Sequence, residues 1–308
     1  MHRVVLAVAV VMVSACKADD PFICASDDQC RRSGFNGGKC EASSNCSFTD
    51  IDCPTGRRYD VLANQSGECV VDDDSDMIAD DGDNCPGLAN TDQANEDQDR
   101  FGDPCDPCPP FSETSEGAGD DDGDGVDNLC DPRPTTAGDQ ILFFAGFHEV
   151  LDLAVWDING SAIVENDGLT LQNTSDATLL RLSAGSETLM VGVTMKNAPT
   201  RGVWLGLPYH GGVGGAFCQL TTSKLELWAA GAPDRILEMT AYAPQLDREY
   251  IYSIQRASAM QHTCGVAATA SAPPTQVMGM TTNTATLPRI MFGADATTHF
   301  GWVLLVKN

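Results

Sequence analysis

Between Asp72 and Asp131 one spacing of oxygen-bearing side chains occurs three times. Asp72, Asp74, Asp76, Asp80 and Asp83 stand at positions 1, 3, 5, 9 and 12 of a register. Asn95, Asp97, Asp99, Asp103 and Asp106 repeat it, and Asp120, Asp122, Asp124, Asn128 and Asp131 repeat it again. A tight loop with oxygens at 1, 3 and 5, a backbone carbonyl at 7 and further oxygens at 9 and 12 can surround Ca2+ with about six to eight hard ligands. The position 7 carbonyls belong to Ile78, Phe101 and Val126. Without a cation, two carboxylates about 4 Å apart repel by roughly 4 kcal/mol at an effective dielectric of about 20, and each loop gathers several such pairs. An Asp-rich tract is ordinarily a solvated linker, but random acidity does not repeat a five-position register three times. Several calcium ions are therefore the expected cofactor. Helical EF-hands fit poorly, because Cys85-Pro86, Pro104-Cys105 and Cys130-Asp131-Pro132 follow the loops where an exiting helix belongs. Position 12 is also Asp rather than the longer Glu.

These residues resemble the thrombospondin type 3 repeat. Asp80 to Pro86 ends one repeat, Asn90-Thr91-Asp92-Gln93 followed by Asp97, Asp99, Gly102-Asp103 and Cys105-Asp106 matches the next, and Asp120 to Asp131 matches a third. The resemblance implies an irregular rod, poor in helix and strand, wound on calcium ions. It adds Asn90 and Asp92 as ligands and implies disulfides Cys85–Cys105 and Cys108–Cys130. Met77 and Arg100 stand where the family has glycine, and Asp127-Asn128 where it tends to Gly-Asp. Pro107 to Pro110 and Ser112 to Gly119 interrupt the register, which marks a hinge between the second and third loops. The Cys105-x-x-Cys108 pair has no strand or helix pattern around it and is not expected to be a redox dithiol.

From Asp72 to Asp131 there are 21 acidic residues and one Arg, so this segment holds most of the net charge of −26. Such a field repels a phosphate backbone, and nucleic acid is excluded as a partner. Thirteen cysteines in 308 residues point to an oxidising compartment. His2-Arg3, the apolar run Val4 to Val13 and Val13-Ser14-Ala15-Cys16 read as a secretory signal too short to span a bilayer. The closing tetrapeptide resembles a bacterial lipobox, which implies a signal peptide over 1–15 and a lipid anchor on Cys16. Twelve cysteines then remain, an even number. Lys17 rather than aspartate after Cys16 fits the outer-membrane sorting pattern, so the expected location is the outer membrane or cell surface of a Gram-negative bacterium.

Residues 16–71 contain Cys24, Cys30, Cys40, Cys46, Cys53 and Cys69 among many glycines and few large apolar side chains. Such a segment cannot bury enough apolar surface to fold unaided, so three disulfides must restrain it, with pairing left open. A zinc site is the rival use of clustered thiolates; the segment has no C-x-x-C pair and no histidine. The acidic repeats occupy 72–134.

Acid thins after Pro134, and 139–308 reads as short runs rich in β-branched and aromatic residues. These are Ile141 to Phe147, Leu169 to Gln172, Thr178 to Leu182, Leu189 to Met195, Val203 to Leu207, Leu225 to Ala229, Tyr250 to Arg256, Arg289 to Phe292 and Phe300 to Val306. Roughly a dozen strands without a helical period predict a mainly β protein whose C-terminal part is an antiparallel β-sandwich. Cys218 and Cys264 are expected to bond across neighbouring strands. Phe147, Trp156, the Asn166-Asp167-Gly168-Leu169 turn and the Phe292 to Asp295 turn before a closing strand resemble the concanavalin A-like, laminin-G-like jelly roll.

No catalytic residue is assigned. The Glu-x-Asp-x-x-Glu strand, Gly-x-Ser-x-Gly elbow and His-Glu-x-x-His helix are absent, and His148, His210, His262 and His299 are scattered. A binding protein is expected instead, a lipid-anchored calcium-binding adhesin whose sandwich takes a glycan or a surface protein. The alternatives are a purely structural calcium-stiffened spacer and a glycan hydrolase with a non-standard carboxylate pair. Trp204, Tyr209, Trp228, Trp302 and the loop Gly211 to Gly215 are candidate stacking platforms, though each Trp lies in a strand pattern that favours the core.

Overall fold

The computed structural model describes residues 21–115, 117–148, 156–165, 167–180, 186–210, 214–281 and 289–308. The predicted signal segment and Cys16 lie outside the described residues. The chain forms two compact units that divide between Thr91 and Asp92.

In the first unit a small antiparallel sheet joins β1 (Lys39–Cys40), β2 (Cys46–Thr49) and β3 (Arg57–Tyr59). Three disulfides frame it, Cys24–Cys40, Cys30–Cys46 and Cys53–Cys69, each with a sequence separation of 16. Closing a loop of that length is worth about 3 kcal/mol in the chain-entropy account. That is the restraint the sparse apolar content required. The thiols are consumed, which removes the zinc reading. Phe48 packs among Cys24, Cys30 and Cys46, and Tyr59, Ala63, Val70 and Ala79 form a second apolar cluster.

Among the described residues of the second unit, thirteen strands share one antiparallel sheet folded into two layers. They are β4 (Gln140–Ala145), β5 (Asp157–Val164), β6 (Leu169–Leu180), β7 (Glu187–Met195), β8 (Val203–His210), β9 (Gly214–Leu220) and β10 (Lys224–Ala229), then β11 (Arg235–Ala241), β12 (Glu249–Arg256), β13 (Gln261–Ala267), β14 (Thr275–Met280), β15 (Arg289–Ala294) and β16 (Thr298–Lys307). The order is β11-β10-β9-β8-β15-β6-β16-β7-β12-β13-β14, with β4 beside β16 and β5 beside β6. Contacts of β8 and β9 with β12, and of β10 and β11 with β14, close the two layers on each other. The runs Leu169 to Gln172 and Thr178 to Leu182 fall on one long strand over the described residues, because Asp176 resumes the pairing with β5 after a bulge and Ser175 and Asp176 pair with β15. β5, β9, β11, β13 and β14 carry weaker apolar patterns and were not among the predicted runs, although Cys218 and Cys264 mark β9 and β13.

Phe147, Trp156, Phe292 and Phe300 form a chain of rings at the core, with centroids 6.2, 5.1 and 4.6 Å apart in turn. The Phe and Trp that carry the jelly-roll resemblance thus meet in space. The Cys218–Cys264 disulfide joins β9 to β13. Those strands are not hydrogen-bonded neighbours, so the bridge crosses from layer to layer rather than between adjacent strands as expected.

Strand β16 is buried on both faces. Phe300, Val303 and Leu305 enter the sandwich core, whereas Trp302, Leu304 and Val306 cluster with Cys108, Val126 and Cys130 of the acidic segment, and Phe111 and Leu129 pack against them. A bulge between Phe300 and Val303 sets the two halves of β16 on different partners, β6 for the first and β4 for the second. Among the described residues, no helix is long and apolar enough to cross a membrane.

Candidate metal centres

The acidic segment forms only turns and bends among its described residues. Without helices on either side, the EF-hand reading falls. One hydrogen-bonded frame nevertheless recurs in all three loops. The position 9 side chain accepts the N–H of position 2: Asp73 N–H to Asp80 Oδ1 at 2.9 Å, Glu96 N–H to Asp103 Oδ1 at 2.8 Å and Asp121 N–H to Asn128 Oδ1 at 3.2 Å. The position 9 N–H donates to the carbonyl just before the loop, that of Val71, Ala94 or Gly119. The N–H groups of Ile78, Phe101 and Val126 donate to Asp76, Asp99 and Asp124 at 2.8, 2.7 and 3.1 Å. The other oxygens of those three aspartates accept N–H groups fourteen residues downstream, from Asn90, Glu113 and Gly138. Position 12 likewise accepts an N–H two residues on, with Asp83, Asp106 and Asp131 taking those of Cys85, Cys108 and Arg133. These are local Asx turns, which is why spacing alone encodes them.

The frame spends one oxygen of most carboxylates and leaves others over. Asp74 Oδ2, Asp97 Oδ2 and both oxygens of Asp122, all at position 3, are buried without a hydrogen bond, as are Asn95 Oδ1, Asp106 Oδ2 and Asp131 Oδ2. Ligand atoms of Asp72, Asp74 and Asp76 lie within 4.8 Å of one another, as do those of Asp97, Asp99 and Asp106, and of Asp120, Asp122 and Asp124. Buried unpaired oxygens are expensive to leave unmade, and converging hard oxygens are the donor set a calcium ion requires. The residues fit the ion. Burial, reinforced by the neighbouring carboxylates, pushes Asp106 up to about 7 and Asp97 and Asp131 up to about 6.

The departures from the repeat pattern have local consequences. Met77 holds a left-handed φ of 81° and is exposed, whereas Gly125 takes the same position in the third loop at φ 94°. Arg100 lies over the Phe101 ring at 4.4 Å and pairs with Glu113 at 3.0 Å. Asp127 accepts the N–H groups of Gly119 and Leu129. Asn90 donates to Asn84, and Asp92 Oδ1 accepts the Ala94 N–H at 3.4 Å. The expected hinge is clamped by the Cys108–Cys130 disulfide and by the Asp127 N–H on the Pro107 carbonyl. Cys85 and Cys105 are each disulfide-bonded.

A second cluster was not anticipated. His148 follows β4 and faces Asp103 at 3.2 Å and Glu96 at 3.6 Å through Nε2, and Asp167 at 2.9 Å through Nδ1. The hydrogen bond to Asp103 leads the effects that raise its pKa to about 9, while burial pushes Glu96 up to about 8. The one available sequence signal was Glu96 itself, an extra acid beside Asp97 with no place in the register.

Of the predicted platforms, Trp302 is buried beneath Phe111. Trp204 and Trp228 are half-buried instead. They alternate with the core residues Val203, Leu205, Leu225 and Leu227, so they stand on the outer face. Phe217 stacks on Trp228 at 5.7 Å and 10°, and the Trp228 indole N–H donates to Glu226 Oε2 at 3.1 Å. Register places Gln219 opposite both Trp204 and Glu226. The Tyr209 side chain and residues 211–213 lie outside the described parts.

The second unit is an antiparallel β-sandwich with the second and third acidic loops docked on it. No protein-family model matches the chain, and no curated protein sequence matches it. Solved structures similar to it include the carbohydrate-binding module CBM66 from Bacillus subtilis, at 13% identity and TM-score 0.37 over 47% of this chain and 91% of that one. A Bacillus subtilis protein with a galectin-like fold is 9% identical, with TM-score 0.42 over 54% and 94%. A legume lectin-like domain from Entamoeba histolytica is 10% identical, with TM-score 0.38 over 51% and 92%. A likeness at these values concerns the fold alone.

Proposed function

We propose that the chain is an exported calcium-binding surface protein, anchored by lipid at Cys16, whose β-sandwich binds a glycan ligand. The threefold hydrogen-bonded frame carries the calcium reading, because it repeats bond for bond and leaves buried oxygens of Asp74, Asp97, Asp106, Asp122 and Asp131 without hydrogen bonds. Ligands would come from positions 1, 3, 5 and 12 of each loop with the carbonyl of position 7. The side chain of position 9 braces the loop through the position 2 N–H. Calcium bound there would supply the positive charge that lets crowded carboxylates ionise together. The carboxylates in turn would hold the acidic segment in the turns that carry Phe111 and Leu129 to β16.

Glycan binding is supported by the outer face of β8, β9 and β10. Sugar rings offer C–H faces to aromatic rings and hydroxyls to carboxylates and amides, and Trp204, Phe217, Trp228, Gln219 and Glu226 supply those partners on adjacent strands. No residue is given a catalytic role.

The test is calcium titration calorimetry on the mature protein, then a glycan array in millimolar calcium and in chelator. Dissociation constants of roughly 0.1–1 mM are expected, as for extracellular modules. Absence of calcium uptake would sink the metal reading. On the array, binding that disappears in Trp228→Ala supports the ligand face. Silence with every glycan would leave an inert calcium-braced spacer. Cys16→Ser should free the protein from membranes, and continued retention would refute the anchor.

A further inference from the structure

The cluster around His148 has the chemistry of a different ion. Glu96 Oε2 is buried, makes no hydrogen bond and lies 3.6 Å from His148 Nε2, while Asp103 Oδ2 lies 3.2 Å from the same nitrogen. Two ligands held tetrahedrally on a zinc ion at its usual bond lengths are about 3.4 Å apart, and the two distances fall either side of that value. Asp167 Oδ1 faces Nδ1 at 2.9 Å. This is the carboxylate–histidine pairing that fixes the imidazole tautomer and presents Nε2 as a donor atom. Gly146 keeps the space open, since a Cβ there would come within 2.6 Å of both Glu96 Oε2 and His148 Nε2. With Nδ1 committed to Asp167, a neutral His148 turns its Nε2 lone pair on two carboxylate oxygens, a repulsion relieved either by a proton on Nε2 or by a metal ion among the three atoms. Asp103 is free to serve because its Oδ1, not its Oδ2, braces the second loop.

We propose that Glu96 Oε2, Asp103 Oδ2 and His148 Nε2 form a binding site for one divalent transition-metal ion of zinc's class, oriented by Asp167 and distinct from the three all-oxygen calcium loops. An imidazole nitrogen suits zinc and cobalt and does not suit calcium. The ligands come from both the second acidic loop and the sandwich, so the ion would staple the two within the second unit. The proposal stands whether or not the glycan or calcium reading does.

The experiment is titration of the full mature chain with Co2+ in saturating calcium, followed by visible absorption and by Zn2+ competition. The expected result is one equivalent of Co2+ with ligand-field bands, displaced by Zn2+ and lost in both His148→Ala and Glu96→Gln. Asp167→Asn should weaken binding by on the order of 10–100-fold, as changes at an orienting carboxylate do. A circular dichroism spectrum and thermal unfolding transition matching the parent's would establish that each variant is folded; should one variant fail that check, the other two carry the test. Absence of stoichiometric Co2+ and Zn2+ binding would overturn the proposal and leave an ion-paired histidine. Undiminished binding in His148→Ala would overturn it equally.

Discussion

The ring of Phe111, from the acidic segment, meets Trp302 of β16 edge to face with centroids 5.4 Å apart. Beside this pair lie the Cys108–Cys130 disulfide, Val126 and Leu304. The second and third acidic loops are therefore packed on the sandwich. Truncating Phe111 to Ala removes a half-buried aromatic ring and its edge-to-face partner, a loss of about 2 kcal/mol. Urea unfolding followed by Trp fluorescence would measure it, and an unchanged midpoint would mean that the contact contributes nothing.

Met77 should be improvable. Its left-handed backbone costs a non-glycine residue about 1–2 kcal/mol, and the side chain is 75% exposed. Glycine loses about 0.5–1 kcal/mol in unfolded-chain entropy. The strain term is the larger, so Met77→Gly should stabilise the first unit by roughly 0.5 kcal/mol in thermal unfolding at saturating calcium. A lower melting temperature would show that Met77 makes a stabilising contact.

Calcium binding should weaken in acid. Asp106 titrates at about 7, and Asp97 and Asp131 at about 6 in the cation-free protein. Each is raised above its unfolded value, so cation-free stability is fully present below about pH 4 and is lost as pH rises through 6 to 7. Calcium must compete with those protons. Its dissociation constant should therefore rise as pH falls from 8 to 5.5, and in chelator the melting temperature should rise over the same change. Calorimetry giving one affinity across that range would contradict the assignment of these carboxylates as ligands.

His262 supplies an independent pH term. Burial lowers its pKa to about 4, and only 1% of the residue is exposed. The group is depressed below its unfolded value of 6.5, so its stabilising contribution is present above that pH and is lost as pH falls towards 4. Relative to the parent, His262→Gln should show a shallower decline of unfolding free energy between those values. Parallel curves would place the acid sensitivity elsewhere.

Much of this molecule was legible in sequence because its bonds are short-range. The acidic frame is closed by partners two to fourteen residues apart, so Asp spacing alone specifies it. The need for disulfides followed from the poverty of apolar residues around Cys24 to Cys69, and the sandwich from alternation in runs such as Leu225 to Trp228. Tertiary structure decided what joins distant segments. Equal spacings did not reveal that Cys24 pairs with Cys40, nor that Cys218 reaches across the layers. Propensity could not say which face of a strand a Trp takes, and Trp204 and Trp228 turned outward while Trp302 was covered. The uninterrupted run Trp302 to Val306 did hold a signal, since a strand with one wet face alternates and this one does not. His148, Glu96 and Asp167 carry no shared motif. They meet only because β4 and the turn before β6 end beside the second loop, a placement set by sheet packing rather than by any local spacing.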